Sequence, residues 1–361
     1  MNDIIEALDA SVRSVCGKYG ADDEALRRTD GWNPSLWSAL ESIGVTTLSV
    51  PEEYGGSGGD VVTAVAVLEV LGEHAAAVPF AETALLAGRL LSGCGVQVPP
   101  GPLAAIVAGP ELQVQPTVSG VQMSGVARRV PWARAAEHLV VLAEDRVILL
   151  RRAEGLVAQG TNIAGEPRDD VAFDCAVPAE RVYWLRGEPQ RVVREQRLRT
   201  TLARAALIAG AARRALERTV AYAGEREQFG RPIGKFQAVQ QHLAAMAGEV
   251  LLTKIAVEAA AVAVDADSGA EVAVAAAKTV AGQAAGLVAS LAHQVHGALG
   301  YTEEHPLRHS TTRLWAWRDE AGNEAACSAV LDQHVLAAGK GGLWPLISGA
   351  AYVPVPTKES R

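Results

Sequence analysis

Two stretches of the chain place polar and small residues where a ligand carrying phosphates would need them. In residues 226–246, REQFGRPIGKFQAVQQHLAAM, a polar loop with Gly230, Pro232 and Gly234 runs straight into an amphipathic helix. Arg226 offers a permanent cation and a planar fork of donors suited to a pyrophosphate. Gln228 and Gln237 carry amides able to bind ribose or adenine edges. In residues 293–307, HQVHGALGYTEEHPL, Gly297, Ala298 and Gly300 are small enough to let a ligand approach the backbone. Together the two stretches describe an anionic-cofactor site between helices, although ordinary helix packing accounts for the same spacing.

Other constellations point less far. The glycines between Gly55 and Gly59 lack the GxGxxG and GxxxxGK[ST] spacings and follow no βαβ pattern, so a structural turn is expected rather than a phosphate cradle. His293, His296, His305 and His309 cluster without an HExxH pattern, and no metal site is expected. Arginines at 191, 194, 197, 199 and 204 read either as a solvated helix face or subunit contact, or as a phosphate-facing stripe.

Positioning such residues requires a large fold, and the composition supplies one. The 361 residues are 49% hydrophobic, 20% charged and 5% aromatic, which fits an ordinary buried core and excludes a disordered chain. A net charge of -8 argues against a nucleic-acid surface. No membrane span and no secretory leader are expected, and Cys16, Cys94, Cys175 and Cys327 are too scattered for a disulfide framework or zinc ribbon, so a cytoplasmic setting is expected.

The pattern changes twice along the chain. Residues 1–101 read as a helical domain, with a stripe of Ile5, Leu8, Val12 and Val15, an N-cap at Asn33 before Pro34, and a second cap at Asp60. Residues 102–187 read as a small β domain, with a hairpin of 138–143 and 146–150 and further strands near 112–118, 121–130 and 171–177. Residues 188–340 read as an alanine-rich helical bundle. Its seams are Phe236, Val239, Leu243, Met246, Val250 and Val257 on one helix, and Val280, Leu287 and Leu291 on the next. Residues 341–361 read as an irregular tail.

On these segments the chain resembles the acyl-CoA dehydrogenase flavoproteins. REQFGRPIGKFQ and its following helix are similar to that family's flavin-binding loop, QVHGALGYTEEHPL to its second flavin segment, and VPEEYGGSG to its N-terminal loop. The resemblance implies a mainly α fold with a small central β domain: an N-terminal helical domain, a barrel-like middle domain and a C-terminal four-helix bundle. It implies FAD bound at a subunit interface, contacted by Arg226 and Gln228 with Phe229, Phe236 and Gln237 around it. Gln294, Val295, His296, Gly297 and Ala298 would close over the FAD of a neighbouring subunit. The implied chemistry is α,β-dehydrogenation of an acyl-CoA, a carboxylate taking the α-proton while hydride passes to the flavin, with electrons leaving to an electron-accepting flavoprotein or similar partner.

Two departures qualify what the resemblance implies. Nothing between Ile106 and Gly125 matches the family's T-E-P-x-x-G-S-D element. At the usual base position an ungapped count from Pro306 gives Ala321, and a one-residue slip gives Glu320, the candidate base. In a second branch of the family the equivalent position falls near Thr200, with Glu195 one or two turns away. Three readings follow: a self-contained dehydrogenase with Glu320 as base, working as a homo-oligomer; a partner subunit of a heterotetramer, of the steroid type, sharing a flavin site with a second acyl-CoA dehydrogenase-like chain; and a non-redox thioester-binding protein.

Overall fold

The computed structural model describes residues 2–20 and 31–348. The N-terminal part holds α1 (Asn2–Tyr19), α2 (Pro34–Ser42) and α3 (Val61–Glu73). A π-helical segment, Ala81–Ala87, then leads into α4 (Gly88–Gly93). Both expected caps form: Asn33 Oδ1 accepts from Leu36 N at 2.9 Å, and Asp60 Oδ1 from Thr63 N at 2.7 Å. The glycine loop between them is a turn, as its spacing predicts. Gly58 N donates to Val50 O, and a side chain at Gly56 would collide with that carbonyl.

Eight strands follow: β1 (Leu103–Val107), β2 (Leu112–Thr117), β3 (Gly120–Pro131), β4 (His138–Ala143), β5 (Arg146–Arg151), β6 (Leu156–Ala158), β7 (Arg168–Pro178) and β8 (Val182–Trp184). They form two four-stranded sheets, ordered β1-β4-β5-β8 and β2-β3-β7-β6. Leu139, Val141 and Ile148 of the first sheet share one core with Met123, Val171 and Phe173 of the second. The alternate residues Val140, Leu142 and Val147 pack instead against Leu90 and Leu91 of α4. Burial on both faces is why residues 139–143 of β4, LVVLA, are apolar throughout rather than alternating.

The C-terminal part is α5 (Pro189–Glu225), a short hairpin of β9 (Glu227–Gln228) and β10 (Arg231–Pro232), α6 (Gln237–Asp265), α7 (Ala270–His296), α8 (Leu307–Asp319) and α9 (Glu324–Ala338). Helix α10 (Leu343–Ser348) stands where an irregular tail was expected, and 349–361 lie outside the described residues. The expected seams are corrected in detail. On α7 the core positions are Val274, Ala277, Ala281, Ala285 and Val288, while Val280, Leu287 and Leu291 are only half-buried. On α6 only Met246 and Val257 of the expected seam are buried. Small side chains face inward because the backbones pack closely, which pushes the larger apolar residues to the flanks. Ala270–Tyr301 is also long and apolar enough to cross a membrane by length and composition, contrary to expectation, but more than half of its most apolar window is buried inside the bundle.

The tightest approach joins the N-terminal part to the bundle. An added Cβ at Gly210 of α5 would lie 1.9 Å from Glu69 O of α3, and one at Gly72 of α3 would lie 2.2 Å from Leu207 O. Gly210→Ala is therefore expected to destabilise the chain by about 3 kcal/mol through forced helix separation. Gly224→Ala, on the same helix but facing open space, is expected to leave stability unchanged or slightly raised. Chemical denaturation of the two variants checks the contrast.

Candidate functional site

The carboxylate nominated as a base lies at the end of α8, where three parts of the chain meet. Ala321 (φ +58°) and Gly322 (φ +95°) turn the chain sharply after Glu320. Lys278 Nζ donates to Arg318 O and Gly322 O at 2.7 Å each, and Thr201 Oγ1 donates to Ala321 O at 3.0 Å, so the turn is pinned to α7 and α5. Burial drives the Lys278 ammonium down to about 8.

Glu320 faces a cavity of about 430 Å³ that Arg129, Asn162, Thr200, Trp315 and Asp319 also line. Its two oxygens are fully engaged. Arg168 binds it bidentately, with Nε to Oε1 at 2.9 Å and Nη2 to Oε2 at 2.8 Å. Arg204 Nε donates to Oε2 at 2.8 Å, and Asn162 Nδ2 to Oε1 at 3.0 Å. The network continues inward: Arg204 Nη2 reaches Glu82 Oε1 at 2.8 Å, and Glu166 accepts from Arg168, Arg313 and Trp317. Three carboxylates, Glu82, Glu166 and Glu320, thus balance three guanidiniums, Arg168, Arg204 and Arg313, nearly all of it out of water. Burial alone would raise the Glu320 carboxyl, but Arg204 and Arg168 overcome that and hold it at about 2. A general base working near neutral pH needs the opposite environment, a carboxylate raised toward 6–7.

Glu195, the acid near the alternative base position, is also held by arginines. Its Oε1 accepts from Arg89 Nε and Arg199 Nε at 3.0 Å each, and the pair holds it below the usual carboxylate range despite burial. Glu195 lies on a different cavity from Glu320. A third, mostly apolar cavity of about 570 Å³ reaches Ala321 between α5, α7 and α9, with Cys327 in its wall. Sequence reasoning missed the Glu320 clamp. Arg204 was visible only as one of five arginines, Glu166 lies in the loop before β7, and Arg168 opens that strand, where no periodic pattern marks either of them.

The residues expected around a cofactor lie elsewhere, on the outside of the chain. Arg226, Gln228, Phe229, Gln237, Gln294, Gly297 and Ala298 are exposed, Phe236 and Val295 are half-buried, and His296 is buried. The β9–β10 hairpin projects Phe229, 94% exposed and at φ +53°, with the Phe236 ring edge-on to it at 6.1 Å. The Arg226, Gln237 and Gln294 side chains make no hydrogen bond among the described residues. Gln228 reaches only its neighbour's carbonyl. The two stretches are joined within one chain: the Tyr222 ring stacks on His296 at 4.4 Å, its hydroxyl donates to His296 O, and Arg226 N returns to Tyr222 O. His293, His296 and His305 each enter ring contacts. His293 lies on Tyr301 at 4.3 Å, and His305 meets His296 edge-on at 4.9 Å.

An exposed set of unspent donors beside an aromatic hairpin has the chemistry to take the pyrophosphate and adenosine end of FAD. At the Glu320 cavity the acid nominated as base is already neutralised by Arg168 and Arg204, and Asp319 lines the same cavity beside it.

Known proteins bear directly on this geometry. Residues 3–95 match the acyl-CoA dehydrogenase N-terminal domain and residues 191–324 the C-terminal domain of the same family. The chain is 32% identical to the acyl-CoA dehydrogenase FadE27 of Mycobacterium tuberculosis, over 75% of this chain and 80% of that one. It is 29% identical to the acyl-CoA dehydrogenase IpdE2 of Mycolicibacterium smegmatis, over 85% and 91%. The structure of the ChsE4-ChsE5 complex from Mycobacterium tuberculosis superimposes with a TM-score of 0.81 at 26% identity, covering 92% of this chain and 97% of that one. With helical, β and helical parts in the order its motifs imply, the chain belongs to the acyl-CoA dehydrogenase family.

Proposed function

We propose that this chain is the flavin-site-contributing subunit of a hetero-oligomeric acyl-CoA dehydrogenase and has no complete active site of its own. The observation that carries the reading is the clamped state of Glu320: with its carboxyl at about 2, it has almost no tendency to take a proton from the carbon next to a thioester. The self-contained reading, with Glu320 as base, asks this carboxylate to work against Arg168 and Arg204. The likeness to a complex of two differently named chains, and the absence of the T-E-P-x-x-G-S-D element, support the two-chain reading.

In this reading Arg226 binds pyrophosphate, Gln228 and Gln237 the adenosine half, and Phe229 and Phe236 cover it. Residues 294–298 close the same site. FAD would supply the hydride acceptor, and the partner chain the base and the thioester pocket, with an electron-accepting flavoprotein downstream. The reading carries a cytoplasmic location, where four free thiols persist.

Purification with excess FAD, alone and after co-expression with a neighbouring-gene acyl-CoA dehydrogenase-like chain, tests it. Alone, the chain is expected to be colourless and inactive toward acyl-CoA with an artificial acceptor. The complex is expected to be yellow and active, and Arg226→Ala should weaken its FAD affinity 10- to 100-fold. A chain that is yellow and active by itself overturns the proposal.

A further inference from the structure

The arginine-rich start of α5 leaves one set of cations that the flavin reading does not use. Its arginines do not share a face. Arg204 turns to Glu320, whereas Arg191, Arg194 and Arg199 line a separate cavity of about 460 Å³. The rest of that cavity comes from Arg89 of α4, the Ser49 and Gly59–Val61 end of the glycine loop, and the α6–α7 turn.

Its charges are unevenly matched. Arg199 is 8% exposed and binds one oxygen of Glu195 through both Nε and Nη2, at 3.0 Å each. Arg89 Nε uses that same oxygen. The remaining Arg199 nitrogen, Nη1, is buried with no hydrogen-bond partner. Arg194 is exposed and makes no ion pair among the described residues. Four acids face the cavity. Asp60 is spent on Thr63, Asp265 accepts from Val61 N at 3.2 Å, Asp267 pairs with Arg191 at the rim, and Glu195 serves two arginines at once. A buried guanidinium nitrogen without an acceptor is costly, and the cost falls when an oxyanion fills the space. Consistently, burial holds the Arg199 guanidinium below its ordinary value, with Glu195 failing to offset it.

We infer that this cavity is a binding site for a phosphoryl group, held between Arg199 Nη1 and Arg194 with Arg89 behind. A tetrahedral dianion suits converging guanidiniums better than a single carboxylate does, because its oxygens accept from several planar forks at once. The source is either free phosphate or the terminal phosphate of a larger molecule. The site stands on its own cavity and does not depend on how the flavin is shared.

Calorimetric titration of the full chain with inorganic phosphate and with adenosine 3′,5′-bisphosphate, against chloride at matched ionic strength, tests the site. Saturable phosphate binding is expected. Arg194→Gln, an exposed change that leaves the core intact, should weaken it at least tenfold, and Glu195→Gln, which removes the competing anion, should tighten it. Tighter binding of the bisphosphate than of phosphate identifies a tethered source, and equal or weaker binding identifies free phosphate. No saturable binding, binding that chloride reproduces, or binding unchanged in Arg194→Gln overturns the inference.

Discussion

Glu320→Gln is expected to cost the fold about 3 kcal/mol at pH 7, a loss seen as a much lower Tm. Arg204 and Arg168 hold Glu320 at about 2, well below its ordinary value, so the ionised carboxylate stabilises the folded network. Its side chain is only 17% exposed, so solvent screens little of this. The amide is isosteric but uncharged, and it leaves Arg168 and Arg204 as partly uncompensated buried cations, a change that typically costs about 3–5 kcal/mol. The pH dependence has a definite sign. A carboxyl depressed in the folded state contributes fully above its unfolded value and loses that contribution as pH falls from about 4.5 to about 2. The parent chain should therefore destabilise through that window, and the variant should lack that part of the acid transition. In the co-expressed complex, turnover per bound flavin should survive the substitution. Equal melting of parent and variant at pH 7, with the same acid midpoint, removes the clamp from the argument.

The clamp also marks where the sequence stops being readable. Local signals succeeded: Asn33 before Pro34 and Asp60 before an apolar run cap helices because the side-chain oxygen needs only its own next turn. The β4–β5 hairpin followed from two β-branched runs around Glu144-Asp145, and its register pairs Ala143 with Arg146. Strand β1 was missed because it pairs in parallel with β4 across more than thirty residues, and LAAIV has no turn to announce it. The candidate site divides in the same way. Arg226, Gln228 and Phe229 form a contiguous motif that the sequence nominates by itself, and all three are exposed. The Glu320 environment joins Arg168, Arg204 and Glu82 from three distant segments, and a carboxylate's role depends on those neighbours rather than on its place in the chain. Spacing can nominate an acid but cannot set its affinity for a proton.

Leu252→Glu combined with Ile255→Glu is expected to leave the isolated chain folded and to weaken association with its partner by about a thousandfold or more. Helix α6 has two apolar faces. Met246, Thr253, Val257 and Ala260 are buried against the bundle, whereas Leu251, Leu252, Ile255 and Val262 point outward with 50–59% of their surface in water. One turn away, the only described charge pair on this helix is Lys254–Glu258, at 3.6 Å. An exposed apolar stripe of this kind on an otherwise ordinary surface is the chemistry of a subunit contact. The same helix begins at Gln237, directly after the Arg226–Phe236 loop, so in the proposed two-chain reading a partner that covers the stripe and runs along the helix to its start would meet the unspent donors. Two carboxylates buried without partners at such a contact cost several kcal/mol, at about 1.4 kcal/mol per decade of affinity. Because both side chains already face water in the single chain, its own Tm should hardly move. Light scattering of the co-expressed pair reads the outcome, and the flavin bands should fade together with the mass. An assembly of unchanged mass places the partner on another face, and with it the shared flavin site.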